Sequence, residues 1–581
     1  MRNHMPERVV ECFSIQEPVE FSHLSPVTAP CNLCRFESCG LRTLPKMLQE
    51  YVQQLPPQSI AFAALCILYY VVTQAWGYSE KSSLTSSKTR TFRQWIQAYM
   101  FLFQGSSMIE ERYMKANGQP FTMHTPGNLN FMITSSQHIQ ELDKAPRHKL
   151  SLHAVAKEFL QPKQTMHGFE WKDQRGIEGT GFVRAIKSLL TAHIPYLMPR
   201  LSTVINKQIL EETKIAPITI QGYSRVPLFA AVKRIITRTN CAVFFPSELS
   251  DNPEFVKAAL DFPEDVYLAA ELIRILPGGI GPFAARMATK GHQSTTIMHK
   301  FIHDVVRKRL EKAKISGNMG QESGVRDTVD SSSTCQSNAT PSNEEQPNDG
   351  IQWLINTTPP SESWSTDRLV GEIMAIWYGS LHTLAIATTY ALVDLFSHPE
   401  IIPPLRAELS SPSAVAEFES TGEGLPMLDS FLKESARLSA FESTAIRRQA
   451  LEDYTFFDGI KVPKGSWICV PHRAMMRDER HFPNATQFDG LRFYRPNASK
   501  SEQDAARLSN RTEKWMVWGA GRITCPGRVY AVAVLKLVLR EVLCKYDCEL
   551  EPIKGSRSAQ WRSALIPRAG ITLRLKARDA A

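Results

Sequence analysis

The sequence predicts a mainly α-helical protein with small β-sheets, preceded by an N-terminal transmembrane helix. Three observations predict this. From about Phe92 onward the apolar residues recur at helical spacing, and only short strand signals interrupt them. One long apolar stretch, from about Arg368 to Ser397, reads as a single long helix. Finally, Ile60 to Trp76 (IAFAALCILYYVVTQAW) carries no charge, and its length meets the lower limit of roughly 17–25 residues for a spanning helix.

Residues 1–58 form an N-terminal extension of mixed polar and proline-containing sequence, expected to be poorly structured. Cys31, Cys34 and Cys39 lie in it, but no fourth ligand completes a zinc set, so they read as ordinary thiols. Residues 59–77 are the expected membrane anchor. Pro56 and Pro57 precede it, and Lys81, Lys88, Arg90 and Arg93 follow it, which favours a cytoplasmic downstream side; Arg42 and Lys46 blunt that contrast. The apolar run begins too far into the chain for a simple cleaved signal peptide.

Residues 92–581 form the main domain. Gly118 to Met123 reads as a short strand entered through a turn, and the turn pairs Asp458-Gly459 and Pro463-Lys464-Gly465 predict a small hairpin. Residues 313–350 are rich in Ser, Asn, Gln and Gly and nearly free of large apolar side chains. A disordered surface insertion is expected there, because little burial offsets the ordering entropy. It holds the sequon Asn338-Ala339-Thr340, which matters only on a lumenal face. Thr366 and Asp367 can cap the long helix that follows. Ser380, His382 and Thr383 sit at its centre, where polar groups need partners or a site to face.

The net charge of +9 over 581 residues suits a face near acidic lipid or an acidic protein. No dense Lys/Arg block with interleaved aromatics occurs, so no nucleic acid partner is expected. The 11 cysteines are scattered and odd in number, which argues against a secreted disulfide framework and for a reducing compartment.

The chemistry concentrates in Trp518 to Arg528, WGAGRITCPGR. Cys525 stands before an apolar helical run, where backbone N–H groups stabilise a thiolate, a strong soft donor to iron. Gly519, Gly521 and Gly527 permit tight turns and the close approach of a flat partner, and Pro526 fits a first helical position. This stretch resembles the haem loop of cytochromes P450, F-x-x-G-x-R-x-C-x-G. Gly521, Cys525 and Gly527 match it, Trp518 replaces the phenylalanine, and Ile523 stands where the family has Arg or His. Three further motifs follow the family's order. Glu434-Ser-Ala-Arg437 matches E-x-x-R, its two charges sharing a helix face. Phe488 to Phe493 resembles the segment whose Arg492 completes a Glu434–Arg437–Arg492 network. Gly379-Ser-Leu-His-Thr383 resembles the oxygen-activation segment, with Ser380 for the second glycine and His382 for the usual acid.

The resemblance extends over roughly Phe92 to Leu575, and within the family it is closest to fungal P450s of secondary metabolism, including terpenoid and indole-diterpene oxidases. It implies the P450 fold and haem b held by Cys525 as axial thiolate. It implies proton delivery by Thr383 with His382, and a haem environment made by Trp518, Gly521, Arg522, Gly527, Arg184 and Arg447 or Arg448, with His472 close to the same edge. It also implies electrons from NADPH through cytochrome P450 reductase, and an endoplasmic reticulum membrane location with a cytosolic catalytic domain. The substrate it implies is a hydrophobic small molecule touching residues from about 145–180 and the helix around Ile376 to Ser380. A P450-like isomerase or dehydratase that needs no oxygen, and a haem-binding protein without catalysis, remain as alternatives; NADPH-dependent turnover separates them.

Overall fold

The computed structural model describes residues 92–171, 182–322, 347–358, 364–512 and 515–578. The N-terminal extension, residues 59–77 where a membrane anchor is expected, Cys31, Cys34, Cys39 and the sequon at Asn338 lie outside the described residues. The described part belongs to one compact unit. Its principal helices are α1 (Phe92–Ala116), α2 (Ser136–Lys144), α3 (Leu152–Leu160), α4 (Thr191–Ile215), α5 (Leu228–Phe244), α6 (Pro253–Ile275), α7 (Gln293–Glu322), α8 (Gly350–Thr357), α9 (Thr366–Ser397), α10 (Pro426–Leu438) and α11 (Arg528–Lys545).

The strands are short: β1 (Phe121–His124), β2 (Leu129–Met132), β3 (Leu150–Ser151), β4 (Ser224–Pro227), β5 (Ala445–Ala450), β6 (Tyr454–Thr455), β7 (Lys461–Val462), β8 (Trp467–Val470), β9 (Tyr546–Leu550), β10 (Ser558–Trp561), β11 (Ala564–Pro567) and β12 (Thr572–Ala577). They form a five-stranded sheet in the order β1-β2-β8-β5-β3, a three-stranded sheet β4-β12-β9, and the hairpins β10-β11 and β6-β7. The strand after Gly118 and the hairpin around Asp458-Gly459 match the sequence reading, with Gly118 at φ +85° and Gly459 at φ +87°, where a Cβ is strained.

Helix α9 is the centre of the helical layer. Among the described residues it is the one helix long and apolar enough to cross a membrane, and 72% of its apolar window is buried, so it is a core helix. Trp377, 1% exposed, donates its Nε1–H to the Ala259 carbonyl of α6 at 2.8 Å and packs on Phe245. That bond allows a large aromatic to be buried without stranding its polar atom. The N-cap is Ser365, whose hydroxyl accepts from the Arg368 amide at 3.2 Å. Thr366 and Asp367 are therefore first-turn residues, not the cap that the sequence pointed to.

The composition change at residue 313 does not end a helix, because α7 runs on to Glu322. At the other end Asp349 caps α8 and pairs with Arg309 at 2.6 Å, so the insertion is bounded more tightly than 313–350. Residues 323–346 lie outside the described residues.

The Glu434–Arg437–Arg492 network is formed. Arg437 grips Glu434 with Nε at 2.7 Å and Nη2 at 2.8 Å, and Arg492 Nε reaches both carboxylate oxygens at 3.1 and 3.0 Å. Arg437 and Glu434 are both 0% exposed. The remaining N–H groups of Arg437 serve the carbonyls of Met476, Ala485 and Gln487, and those of Arg492 serve Pro483, Asn484 and Gln487. Replacing one partner strands a buried charge. Arg437→Met should cost about 3–5 kcal/mol of stability, read as a lower urea midpoint or as loss of soluble protein.

Candidate active site

The loop from Trp518 to Arg528 is a compact turn held from inside. The Gly519 amide donates to the Met516 carbonyl at 3.0 Å, the Cys525 amide to the Trp518 carbonyl at 2.8 Å, and the Thr524 hydroxyl to the Gly521 carbonyl at 2.9 Å. Trp518 anchors the loop by donating Nε1–H to the Leu508 carbonyl at 2.7 Å. Gly521 has φ +53°, and a Cβ there would lie 1.7 Å from Asp143 Oδ2, so a side chain would be strained and would displace the Asp143 carboxylate. Gly527 is the N-cap of α11. Pro526 therefore precedes the cap, whereas the sequence placed it at the first helical position.

Cys525 is half-buried and lines a cavity of about 670 Å³. Burial pushes its thiol pKa up, while the hydrogen bond from the Gly527 amide and the charge of Arg528 pull it down. Helix α9 forms another wall of the same cavity through Ile376, Gly379, Thr383 and Ala387. Thr383 is exposed to it and donates its hydroxyl to the Gly379 carbonyl at 3.2 Å. His382 lines it too, and burial lowers its pKa, with Glu264 opposing and Lys233 adding to the shift, so the neutral imidazole is favoured.

The paired arginines of β5 go to different places. Neighbours on a strand point to opposite faces, and the register shifts between Ala445 and Arg448. Arg447 lines the large cavity and pairs with Glu442 at 2.6 Å. Arg448, 4% exposed, instead lines a separate small cavity of about 20 Å³, with Asp143, Arg147, Arg522 and Ile523. Burial lowers the Arg448 pKa to about 10, Asp143 opposing and the Arg522 and Arg147 charges adding to the shift. Arg522 does not turn into the large cavity. Its Nη2 donates to the carbonyls of Asp143, Lys144 and Ala145 at 3.1, 3.3 and 3.1 Å, closing the C-terminus of α2. Ile523 thus sits in the small cavity's lining with its neighbour Arg522 and with Arg147 and Arg448, two basic residues from outside the loop. Arg184 is exposed and lines neither cavity, because the π-helical turn Ala185–Leu190 that follows buries Ala185, Ile186 and Leu190 on its other side.

His472, 5% exposed, lies in the large-cavity wall with Nε2 at 2.6 Å from the Glu442 carbonyl, and its Nδ1 is buried with no partner. Sequence reading missed a bridge between the two haem-side helices. Tyr530 on α11 donates to Asn240 Oδ1 at 2.8 Å, and Asn240 on α5 donates to the Ser380 carbonyl and hydroxyl at 3.2 and 3.4 Å. The available signal was Asn240 directly before the apolar run Cys241 to Phe245, since an amide carried into a core must find partners.

A sulfur on one wall, a threonine on another, small residues between them (a Cβ on Gly379 would meet nothing within 4 Å) and cationic groups at the edge fit a flat, anionic-edged macrocycle. This is the chemistry of a haem-thiolate protein. The sequence pattern of the family described as Cytochrome P450 matches residues 94–573, and the chain belongs to that family. It is similar to the cytochrome P450 monooxygenase ptmQ of Penicillium ochrochloron, 23% identical over 465 residues covering 79% of this chain and 84% of that one. It is likewise similar to paxQ of Penicillium paxilli, 25% identical over 495 residues covering 83% and 89%. Its fold is like that of the structure titled "Retinoic acid bound cyanobacterial CYP120A1", with a TM-score of 0.60 at 14% identity, covering 82% of this chain and 97% of that one. The chain is thus an enzyme of the P450 monooxygenase class whose family binds haem iron through a cysteine thiolate.

Arg447→Met, which removes the β5 cation that lines the large cavity, should speed haem loss by roughly tenfold, on the scale of one charge-assisted hydrogen bond, as read by transfer of haem to apomyoglobin. His472 gives a pH prediction. Burial lowers its pKa to about 4 in the fold, whereas an unfolded histidine titrates near 6.5. Below pH ~6.5 the unfolded chain takes up the proton first, so stability falls as the pH drops towards 4, at up to about 1.4 kcal/mol per pH unit. His472→Gln should flatten that slope in urea unfolding measured across this range.

Proposed function

We propose that this chain inserts an oxygen atom into a C–H bond of a hydrophobic small molecule, a terpenoid or meroterpenoid secondary metabolite of a fungus. One observation carries the reading: Cys525 and Thr383, from elements far apart in sequence, line one cavity whose walls are largely apolar. The similarity to the Penicillium monooxygenases ptmQ and paxQ supports the monooxygenase reaction, and the largely apolar lining supports a hydrophobic substrate.

Haem b bound through Cys525 supplies the oxygen activation, with electrons drawn from NADPH by way of cytochrome P450 reductase. The protein's own residues do the rest. The Gly527 amide and Arg528 favour the Cys525 thiolate against the cost of burial. The Thr383 hydroxyl can exchange its bond to the Gly379 carbonyl for one to a water, and so pass a proton into the cavity. His382, held neutral, is placed to relay the next proton. Phe159, Phe182, Phe244 and Leu190 exclude bulk water and hold an apolar substrate. A membrane position in the endoplasmic reticulum, with the catalytic domain cytosolic, is supported by the uncharged run Ile60 to Trp76, and an acidic reductase by the net charge of +9.

Co-expression with a reductase and a panel of terpenoid precursors tests the reading. NADPH-dependent product should form, and the reduced carbon monoxide spectrum should be that of a thiolate-ligated haem. Cys525→Ala should abolish both, whereas Thr383→Ala should keep the spectrum and lower turnover by on the order of 10²-fold. Turnover that needs no NADPH would overturn the monooxygenase reading in favour of an isomerase.

A further inference from the structure

One turn of α9 carries more hydrogen bonds than its own backbone supplies. The Ser380 hydroxyl donates to the Trp377 carbonyl at 3.1 Å, the Thr383 hydroxyl to the Gly379 carbonyl at 3.2 Å, and the Asn240 amide to the Ser380 carbonyl at 3.2 Å. The first two donors belong to α9 itself, the usual back-bonding of serine and threonine in a helix. The third comes from α5, so it alone ties the turn to another element. A longer contact from the same Asn240 nitrogen reaches the Ser380 hydroxyl at 3.4 Å.

Asn240 is 0% exposed and stands behind the cavity lining, whereas Ser380, Thr383, Tyr530 and Cys525 belong to that lining. The directions of its bonds follow from chemistry. A carbonyl only accepts, so the amide nitrogen faces Ser380 and Oδ1 faces Tyr530. The Tyr530 hydroxyl therefore donates to Oδ1, at 2.8 Å. Phe244, also on α5, meets the Tyr530 ring edge to face at 6.1 Å between centroids, so the phenol is held at its ring and at its hydroxyl. Tyr530 lies in the first turn of α11, five residues after Cys525, and Thr383 lies three residues after Ser380. The bridge thus ends close to the thiol in one direction and close to the threonine in the other.

We propose that Asn240 is a positioning residue for the reaction. It sets the place of the Thr383 turn relative to the helix that follows Cys525, and so the place from which the Thr383 hydroxyl delivers its proton. The site asks for one group that accepts from a phenol and donates to a carbonyl at once, and a neutral amide does both. A leucine of similar size does neither, and leaves the turn without its tie to α5 and α11. Placement of this kind matters to rate, because a shift of about 1 Å from a change outside the chemistry can cost on the order of 10²-fold. The inference rests on the monooxygenase reading for the role of Thr383, and not for the bridge.

The infrared stretch of carbon monoxide on the reduced, full-length haem protein tests it. That band responds to dipoles beside the bound gas in a site of low dielectric. It arises only from haem-loaded molecules, so a loss of folded protein does not move it. Asn240→Leu should shift or split the band while keeping the visible spectrum of a thiolate-ligated haem. The shift should be largely lost in a Thr383→Ala background, because both changes act through one group. Asn240→Asp is the conservative rescue: its uncharged acid accepts and donates as the amide does, whereas its carboxylate only accepts. Its band should return towards the native position as the pH is lowered. A native band in Asn240→Leu overturns the proposal, as does a shift of full size in the Thr383→Ala background or an Asn240→Asp band displaced at every pH. Should Asn240→Leu fail to hold haem, Tyr530→Phe decides: removing one end of the bridge should move the band, and an unmoved band overturns the proposal. A normal thiolate-haem spectrum with unmoved bands sinks this inference alone. Wild-type protein without that spectrum overturns the monooxygenase reading, and this inference with it.

Discussion

The structure depends on one buried carboxylate. Glu434 has no solvent exposure, and two guanidiniums close on it from one helix and from a segment some fifty residues later. That segment, between Met476 and Arg492, contains no strand and little helix, so its carbonyls have no ladder to join. The guanidiniums supply the missing donors, to Met476, Pro483, Asn484, Ala485 and Gln487. One charge network thereby organises an irregular stretch of chain in the way a sheet would organise a regular one. The polypeptide then enters the Cys525 loop from a fixed starting point. Such a network contributes less to net stability than its bonds suggest, because desolvating three charges costs much of the gain. Its effect is on which conformation the segment takes.

The same logic recurs around the cavity at smaller scale. Asn240 joins Tyr530 and Ser380, and so ties the helix that follows the thiol to the helix that carries Thr383. The serine that breaks the family's glycine pattern has a partner here. Arg522 spends its Nη2 on three carbonyls at the end of α2, which binds the thiol loop to the helix beside it. The basic residues near Ile523 are Arg448 and Arg147, brought in by a strand and a loop. A missing cation in one motif has been answered by cations from elsewhere in the fold.

A polar patch gives the cavity a direction, since Arg274 of α6 and Arg562 both line it and both pair with the buried Glu271. A uniformly apolar pocket of this volume would hold a terpenoid in several orientations of similar energy, since burial is non-directional. Two guanidiniums around one carboxylate make one end of the cavity unlike the other. Selectivity for one carbon among many similar ones requires such an asymmetry.

What the sequence by itself determined was the set of parts whose chemistry is local. Cys525 and its glycines, the Glu434–Arg437 pair one helical turn apart, the long apolar helix from about Arg368 to Ser397 and the turn at Gly459 are all readable from spacing, because the forces that shape them act within a few residues. What only the tertiary structure decided was where side chains of equal chemistry would go. Arg447 and Arg448 are neighbours, yet a register shift and the two-residue period of the strand send one to the large cavity and the other to the small one. Arg184, also basic, is turned outward by the apolar side of its own helix. Tyr267, Glu271 and Arg274 read along the chain as an ordinary amphipathic helix face. They become part of one buried charge network because Arg562, nearly three hundred residues later, arrives on the same carboxylate. Long-range pairing of charges leaves no periodicity in a sequence, and only the folded chain reveals which of them share a partner.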